Sequence, residues 1–397
     1  MNPYLIHAAR RPLRALLKLV CVAAVVTGCG GGGSPGRSSL SVGPISGFGS
    51  IIVNGVRYDD SSASVSSDDD DNGESRSRSD LKLGMMVEVR ANGVTTDNSG
   101  SHSSAHDIRF GSEIVGPVGT ITPSANTFTV LGQTIKVDAS TAFDNSLGGG
   151  FAAIKIGQIL EVHGPLDSAN SLINATRIEL EDQARFFKLR GVVAGLVAGS
   201  FKIGSETIST RSLSPQPTNL ANGQIVRVKL QTTQVDGAWV AIKLGNGVRG
   251  VEDHDEAEIK GSVSDFQSMS DFKVNGIAVN AGQVANPPSL KNGDFVEVKG
   301  RSQGGILIAA KVELEDRNRP GSGQFEFHGR IEQLSSDRKS FVLRSMTIVI
   351  GDQTLFDKGA TRDNLANNNC VEVKAVPVSG SATLSASLIK FDNDCAP

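Results

Sequence analysis

Hydrophobic and polar residues alternate along this 397-residue chain in short runs that return five times. The clearest run is a triplet of an aliphatic, a polar or charged, and an aliphatic residue. It starts at Val87, Leu160, Val226, Val296 and Val371, and the starts are 73, 66, 70 and 75 residues apart. Such a period indicates a tandem array of small modules, and it argues against one large catalytic core.

Glycines stand at fixed places in these repeats. One precedes the triplet in four copies, with Asn368 in its place in the fifth, and another opens each module; the two sets are Gly84, Gly157, Gly223 and Gly293, and Gly43, Gly116, Gly191, Gly261 and Gly329. Two copies also carry Asn-Gly between alternating runs, at Asn54-Gly55 and Asn275-Gly276. This pair predicts a two-residue hairpin turn, because that turn needs positive φ at both central positions.

The alternation predicts strands with one buried face and one wet face. Each unit offers about five strands, a number that suits a small barrel. We therefore expect an all-β fold of tandem small antiparallel barrels resembling the oligonucleotide/oligosaccharide-binding (OB) fold, with Trp239 in a core. The predicted segments are a signal peptide (1–28), a flexible tether (29–42), module 1 (43–111), module 2 (114–182), module 3 (189–245), an acidic linker (246–258), module 4 (259–316), a second linker (317–325) and module 5 (326–397).

One repeat also resembles a known family. Its Thr141-Ala142-Phe143-Asp144, its Lys155 to Val162 run and its Ala175 to Glu179 run are similar to a bacterial family known only as a domain of unknown function, number 5666. The resemblance is best over 115–181 and extends with less fidelity over the other units. It implies an exported β-barrel-type repeat without an established activity, so it adds no catalytic residue.

The N-terminus has the layout of an export signal. Four cationic residues (Arg10, Arg11, Arg14 and Lys18) precede the short apolar run 19–26, which is too short to span a membrane. Val26-Thr27-Gly28-Cys29 resembles a bacterial lipobox, so we expect an acylated Cys29 and a lipid-anchored protein of the cell envelope. Gly30 after the cysteine favours the outer membrane, on its periplasmic or its surface face. The alternative is an ordinary secretory signal in which Cys29 is incidental.

The net charge limits the kinds of partner that we expect, and the cysteine content predicts a disulfide. The net charge is −3, and it becomes −7 once the four signal cations are removed. That sign disfavours nucleic acid, whose phosphates bind basic patches. Cys370 and Cys395 remain after Cys21 and Cys29 are set aside, and in an oxidising compartment we expect them to form a disulfide. The alternative is two free thiols.

Candidate chemistry in the chain is sparse. Asp68, Asp70 and Asn72 offer oxygens at alternating positions before Gly73, as in the first half of a calcium loop, but the twelfth position is Ser79 where glutamate is needed. We favour a solvated acidic loop there, and likewise for the acidic cluster 252–256. His102 and His106 are expected to be solvated loop residues. The sequence predicts no catalytic residue and no cofactor.

These features favour a non-catalytic envelope lipoprotein that acts as a scaffold or binding array. Its expected partners are membrane lipid, through acylated Cys29, and an envelope protein or polymer. One alternative is a calcium-dependent surface adhesin or polymer binder. Another is an envelope enzyme with a site between modules, which would require inward-facing polar residues and would depend on His163, His254 or His328.

Overall fold

The computed structural model describes residues 36–68, 75–98, 100–167, 171–248, 250–315, 324–378, 381–392 and 395. Residues Arg37–Pro397 form one compact unit. It is built from strands and a few short 3-10 turns. In the described part of the chain, no helix combines the length and the apolar character needed to cross a membrane.

Modules 1 and 2 are the most elaborate. Module 1 contains β1 (Ser38–Phe48), β2 (Ile51–Val53), β3 (Val56–Asp59), β4 (Ser64–Ser67), a 3-10 turn (Arg78–Asp80), β5 (Met86–Asn92), β6 (Thr95–Asp97) and β7 (Gly100–Phe110). Module 2 contains β8 (Ile114–Thr122), β9 (Thr127–Val130), β10 (Gln133–Lys136), β11 (Ala142–Phe143), β12 (Ile159–His163), β13 (Leu166–Asp167), β14 (Leu172–Asn174) and β15 (Arg177–Leu180), with 3-10 turns at Pro123–Ala125, Asn145–Leu147 and Gly150–Ala153.

Modules 3 to 5 each have five strands. Module 3 contains β16 (Phe187–Val197), β17 (Ser200–Ile203), β18 (Glu206–Ser209), β19 (Ile225–Val235) and β20 (Ala238–Asn246). Module 4 contains β21 (His254–Ser268), β22 (Asp271–Val274), β23 (Ile277–Asn280), β24 (Phe295–Gln303) and β25 (Ile306–Leu314). Module 5 contains β26 (Phe325–Arg330), β27 (Ser340–Leu343), β28 (Met346–Asp357), β29 (Cys370–Pro377) and β30 (Leu384–Phe391), with a 3-10 turn at Arg362–Asn364.

Strand pairing gives all the modules one common order, which module 4 shows most simply; in module 5 the link to the second strand is a single bridge, from Glu332 to Val342. Its first strand, β21, pairs antiparallel with both β22 and β24, and β22 pairs antiparallel with β23. The third strand, β23, runs parallel to the fifth, β25, which pairs antiparallel with β24. This order closes a five-stranded barrel with the connectivity of an OB fold, so the predicted architecture is confirmed.

Backbone geometry explains the glycine before each triplet. All four of these glycines have positive φ, between 79° and 87°, and Asn368 in the fifth copy has φ 67°. Asparagine is among the few residues that adopt this left-handed conformation at low cost, so the substitution keeps the turn. The two Asn-Gly hairpins also have positive φ at both residues, which confirms their predicted turn type.

The opening glycines serve a different purpose. A Cβ on Gly43 would lie 2.3 Å from Oδ1 of Asn54, and one on Gly261 would lie 2.0 Å from Oδ1 of Asn275. The two asparagine side chains cross the first strand there and donate to its carbonyls, Asn54 to Val42 at 3.2 Å and Asn275 to Lys260 at 2.8 Å. The first-strand glycine therefore makes room for the turn that joins the second and third strands.

The modules also share sheets with one another. Strand β1 runs parallel to β21 of module 4 over residues 39–42, and parallel to β26 of module 5 at Gly47 and Phe48. Strand β8 of module 2 pairs antiparallel with β16 of module 3. Modules 2 and 3 also share one continuous hydrophobic core, and Leu40 and Val42 of β1 are buried with the core of module 4.

Two predicted linker boundaries were wrong for this reason. Residues 38–42 were assigned to the flexible tether, yet they form the start of β1, because they lie between β5 and β21. Residues 254–258 were assigned to the acidic linker, yet they begin β21, because β1 pairs with residues 256–258 and β24 pairs with His254. Similarly, β16 begins at Phe187, two residues before the predicted start of module 3.

Candidate functional site

The most unusual feature of the fold is the burial of the charged residue at the centre of three of the five triplets. These side chains point away from their own barrel, and the alternation predicted a wet face there. Glu88, Glu297 and Glu372 are nevertheless only 6%, 7% and 8% exposed. That prediction was wrong for these residues, because neighbouring side chains and modules cover the outer faces. We call the outer faces of the first, fourth and fifth strands of each module the junction faces.

One buried ion pair connects modules 1 and 3. The fully buried carboxylate of Asp68 lies 2.7 Å from Nε of Arg109 and 2.5 Å from Nη1 of Arg227, the centre of the third triplet. Two guanidinium groups therefore already neutralise this calcium candidate, which weakens the calcium interpretation. Asp70 and Asn72, the other two candidates, lie outside the described residues.

Arg190 of β16 connects three modules. Its Nη1 donates to Oε2 of Glu113, just before β8, at 2.7 Å, and its Nη2 donates to the carbonyl of Asn275 in module 4 at 3.1 Å. Its Nε donates to the carbonyl of Gly247 at 2.5 Å. Arg190 and Glu113 are both buried, so these contacts replace hydrogen bonds with water that the two charged groups lost on folding.

A second cluster connects modules 1 and 5. Nη2 of Arg57 lies 2.9 Å from Oε1 of Glu326 and 2.6 Å from Nε2 of His328. The other ring nitrogen of His328, Nδ1, lies 2.7 Å from Oδ2 of Asp392. Hydrogen bonding from His328, together with the charges of Lys374 and Arg57, lowers the pKa of Glu326 to about 2 in spite of its burial. Both nitrogens of His328 are thus engaged: Nε2 meets Arg57 of module 1, and Nδ1 meets Asp392 of its own module.

Module 4 carries a pair of carboxylates on its junction face. Nζ of Lys299 lies 3.2 Å from Oε1 of both Glu258 and Glu297. Burial, followed by the nearby Glu297 carboxylate, raises the pKa of Glu258 to about 8. Glu258 therefore holds a proton at neutral pH, because its carboxyl group is buried beside that of Glu297.

A histidine and two glutamates form a further cluster on module 2. His163 and Glu161 occupy alternate positions of β12, and Glu179 of β15 is the cross-strand partner of Glu161. Nε2 of His163 lies 3.6 Å from Oε1 of Glu161 and 3.8 Å from Oε1 of Glu179. Burial lowers the pKa of His163, so its imidazole is neutral at neutral pH. These three residues can place their ligand atoms within 4.8 Å of one another.

The remaining sequence candidates have structural positions. His102 and His106 lie on strand β7 rather than in the predicted loop, because β7 pairs with β3 and β6 at His102 and with β5 on either side of His106. Trp239 is buried, as expected: its ring meets Phe187 edge-on at 5.5 Å between centroids, and its Nε1 donates to Oε2 of Glu206 at 2.7 Å.

The acidic cluster of the first linker is not freely solvated. Oδ2 of Asp255 accepts a hydrogen bond from the backbone of Ser38 at 3.1 Å, and Oε2 of Glu256 accepts one from the backbone of Val94 at 3.0 Å. These carboxylates therefore help to hold β1 of module 1 against β21. Residues 254–256 thus lie in strand β21 rather than in the predicted loop, although Glu252, Asp253 and Asp255 are exposed as expected.

Cys370 and Cys395 are joined in a disulfide, with their Cα atoms 5.7 Å apart. The bond ties the start of β29 to the segment that follows β30. This pairing confirms the sequence prediction. Cys29 lies outside the described residues.

Comparisons with known proteins agree with the repeat. The model of the family described as "Domain of unknown function (DUF5666)" matches residues 115–179, 260–313 and 328–390, which fall in modules 2, 4 and 5. Three of the five modules are therefore similar to this family. No curated protein is significantly similar to the chain. A solved structure titled "drosophila Unr CSD456" is similar at 13% identity over 52% of this chain and 97% of that chain, with a TM-score of 0.14.

Proposed function

We propose that this protein is a non-catalytic, lipid-anchored scaffold of the bacterial cell envelope, which binds an envelope protein through its five-module body. The observation that carries the proposal is that the modules pack against one another in one compact unit. Strand pairs and buried ion pairs join barrels that are far apart in sequence, as in the pairs β1–β21 and Asp68–Arg227. Such contacts fix the relative positions of surface loops, and a rigid platform loses less entropy when a partner binds.

Two further features support the envelope location. The Val26-Thr27-Gly28-Cys29 sequence favours acylation after export. The Cys370–Cys395 disulfide fits an oxidising compartment, where such bonds persist. In this proposal Cys29 attaches the body to the outer membrane through its lipid.

The positions of the aromatic residues favour a protein over a polymer or nucleic acid as the partner. Carbohydrates and single-stranded nucleic acids are commonly bound by exposed aromatic side chains. Tyr58 and Trp239, the Tyr and Trp within the described residues, are both buried. The net charge, which is negative, also disfavours nucleic acid.

The junction clusters keep one alternative open, an envelope enzyme with a site between modules. It is favoured by His328, which lies between Glu326 and Asp392 where modules 1 and 5 meet. We prefer the scaffold because Arg57 reaches across from module 1 to the same histidine, and this contact has the character of a structural ion network.

Crosslinking in intact cells tests the proposal. Cells expressing the full chain at its native level are crosslinked, and the protein is purified with whatever is attached to it. Cys29→Ser serves as the matched control, and incorporation of labelled palmitate reports acylation. We expect palmitate on the wild type only, and one stoichiometric protein partner that depends on the anchor. Recovery of wall or membrane material alone would contradict a protein-binding scaffold.

A further inference from the structure

His163 is the most unusual polar side chain of the junction faces. It is 0% exposed, and neither of its ring nitrogens has a hydrogen-bond partner among the residues that the structure describes. The neighbouring carboxylate oxygens, at 3.6 and 3.8 Å, are too distant for hydrogen bonds. An imidazole buried without partners is costly, so the arrangement calls for a ligand that the ring can bind.

The distances from Nε2 to the two glutamate oxygens fit a shared metal ion better than they fit hydrogen bonds. Two ligand atoms of a tetrahedral zinc ion, each about 2.1 Å from the metal, lie about 3.4 Å apart. The observed separations from Nε2 to the two glutamate oxygens exceed this value by only a few tenths of an ångström, which small side-chain rotations would remove. The β-sheet supplies the alignment, because Glu161 and His163 share one face of β12 and Glu179 lies directly across from Glu161.

The surrounding charges also favour a cation. Arg177 and Lys188 lie near His163, while Glu161, Glu179, Glu181 and Asp182 contribute four carboxylates to the same region.

Arg177 orients one of the carboxylates. Its Nε donates to Oε1 of Glu179 at 2.6 Å, and its Nη2 donates to Oδ2 of Asp144 at 3.3 Å. A carboxylate oxygen has a second lone pair for a metal, and outer hydrogen bonds of this kind commonly fix ligating carboxylates.

Module 5 provides an internal comparison. Glu326, His328 and Glu372 form a similar group of one histidine and two glutamates. There the guanidinium of Arg57 lies 2.6 Å from Nε2 of the histidine, and Nδ1 has Asp392 as its partner. In module 5 the guanidinium group of Arg57 therefore lies where a metal ion would bind the histidine. In the described residues, no cationic side chain is hydrogen-bonded to His163.

We propose that Glu161, His163 and Glu179 bind a divalent transition-metal ion of the zinc type. One nitrogen and two carboxylate oxygens suit such ions, and three protein ligands leave a fourth position for water. The side chains of Glu161 and Glu179 are 24% and 18% exposed, so the ion can reach His163 from solvent on their side. This site goes beyond the scaffold function and does not depend on it.

Metal uptake by the full chain tests this site. The protein, purified in detergent, is stripped with a chelator and equilibrated with Zn²⁺ or Co²⁺, and bound metal is measured by mass spectrometry after dialysis. We expect about one equivalent, with the visible absorption of tetrahedral Co²⁺. Glu161→Gln should weaken binding at least about 10-fold, since even outer-shell changes have effects of that size. Its folding is checked by circular dichroism.

Two matched variants locate the ion. His328→Asn changes the similar cluster of module 5. The double variant His102→Ala/His106→Ala removes two histidines of β7, and it serves as the control for non-specific binding of metal to histidine. Both should keep wild-type uptake. The proposal is overturned if the wild type retains no more metal than Glu161→Gln, or if uptake is lost in either matched variant and kept in Glu161→Gln.

Discussion

Replacement of Arg190 by methionine tests whether buried charges hold the modules together. Arg190 reaches Glu113 at 2.7 Å, the carbonyl of Gly247 at 2.5 Å and the carbonyl of Asn275 at 3.1 Å. Methionine keeps most of the apolar stem but removes all three donors. Because Glu113 stays buried after losing its cation, we expect the free energy of unfolding to fall by about 3–5 kcal/mol.

The assay is urea unfolding followed by circular dichroism, with Lys273→Met as the matched control. Lys273 pairs with Asp265 at 2.8 Å, but both side chains are well exposed, so its loss should cost less than about 1 kcal/mol. The double variant Glu113→Gln/Arg190→Met should be more stable than the sum of the single changes predicts, because it removes both charges of the pair. A cost for Arg190→Met no larger than that of the control would refute the reasoning.

Three further results are expected. Cys370→Ser, which opens the 25-residue loop to Cys395, should lower the free energy of unfolding by about 3.5 kcal/mol on the chain-entropy estimate, and urea unfolding that is unchanged by the substitution would contradict this. The folded pKa of Glu258, about 8, lies above its unfolded value of 4.5, so its contribution to stability is complete below pH 4.5 and is lost as the pH rises through 8. Melting temperatures measured from pH 5 to pH 9 should therefore fall less steeply in Glu258→Gln than in the wild type. Equal slopes would exclude this role. Gly223→Ala should lower the free energy of unfolding by about 1–2 kcal/mol, because φ there is 87° and an added Cβ would meet no atom within 4 Å, so only the backbone conformation is unfavourable. Gly223→Asn should lower it by less in the same assay. Equal losses would show that backbone conformation is not the cause.

The repeat was readable from the sequence because each strand carries its own local signal. Triplets such as Val296-Glu297-Val298 alternate with period two, and the two Asn-Gly pairs specify their turns locally. These signals depend on φ preferences and on burial inside one barrel, and both act over a few residues. The number of modules and their all-β character could therefore be predicted, whereas the additional short strands of modules 1 and 2 could not. The disulfide was predicted on a separate ground, the oxidising compartment.

The packing of the modules on one another could not be predicted in this way. Glu88 and Glu297 look like solvent-facing residues, because alternation within one strand says nothing about a second module covering the outer face. The pairing of β1 with β21 joins residues more than 200 positions apart, and it turned part of the predicted tether and linker into strand. The available signal was the recurrence of a charged residue at the centre of all five triplets, a regularity that free surface positions do not require.

The buried histidine site was missed for a related reason. His163 was noted only as one of three histidines that an enzyme would need, because histidine in one module does not recur in the others. Its burial depends on neighbours in β15 and β16 that cannot be located from one sequence. The i, i+2 spacing of Glu161 and His163 on a predicted strand was the available sign that the two side chains share a face.

Small-angle X-ray scattering tests the central claim, that the five modules form one body. Residues 37–397, the compact unit, are measured in solution without the tether. A globular chain of that length has a radius of gyration of about 21 Å, whereas five separate modules in an extended row would give roughly 40 Å. We expect a value close to the smaller figure. A value near the larger one would contradict the packing of the junction faces and, with it, the rigid scaffold.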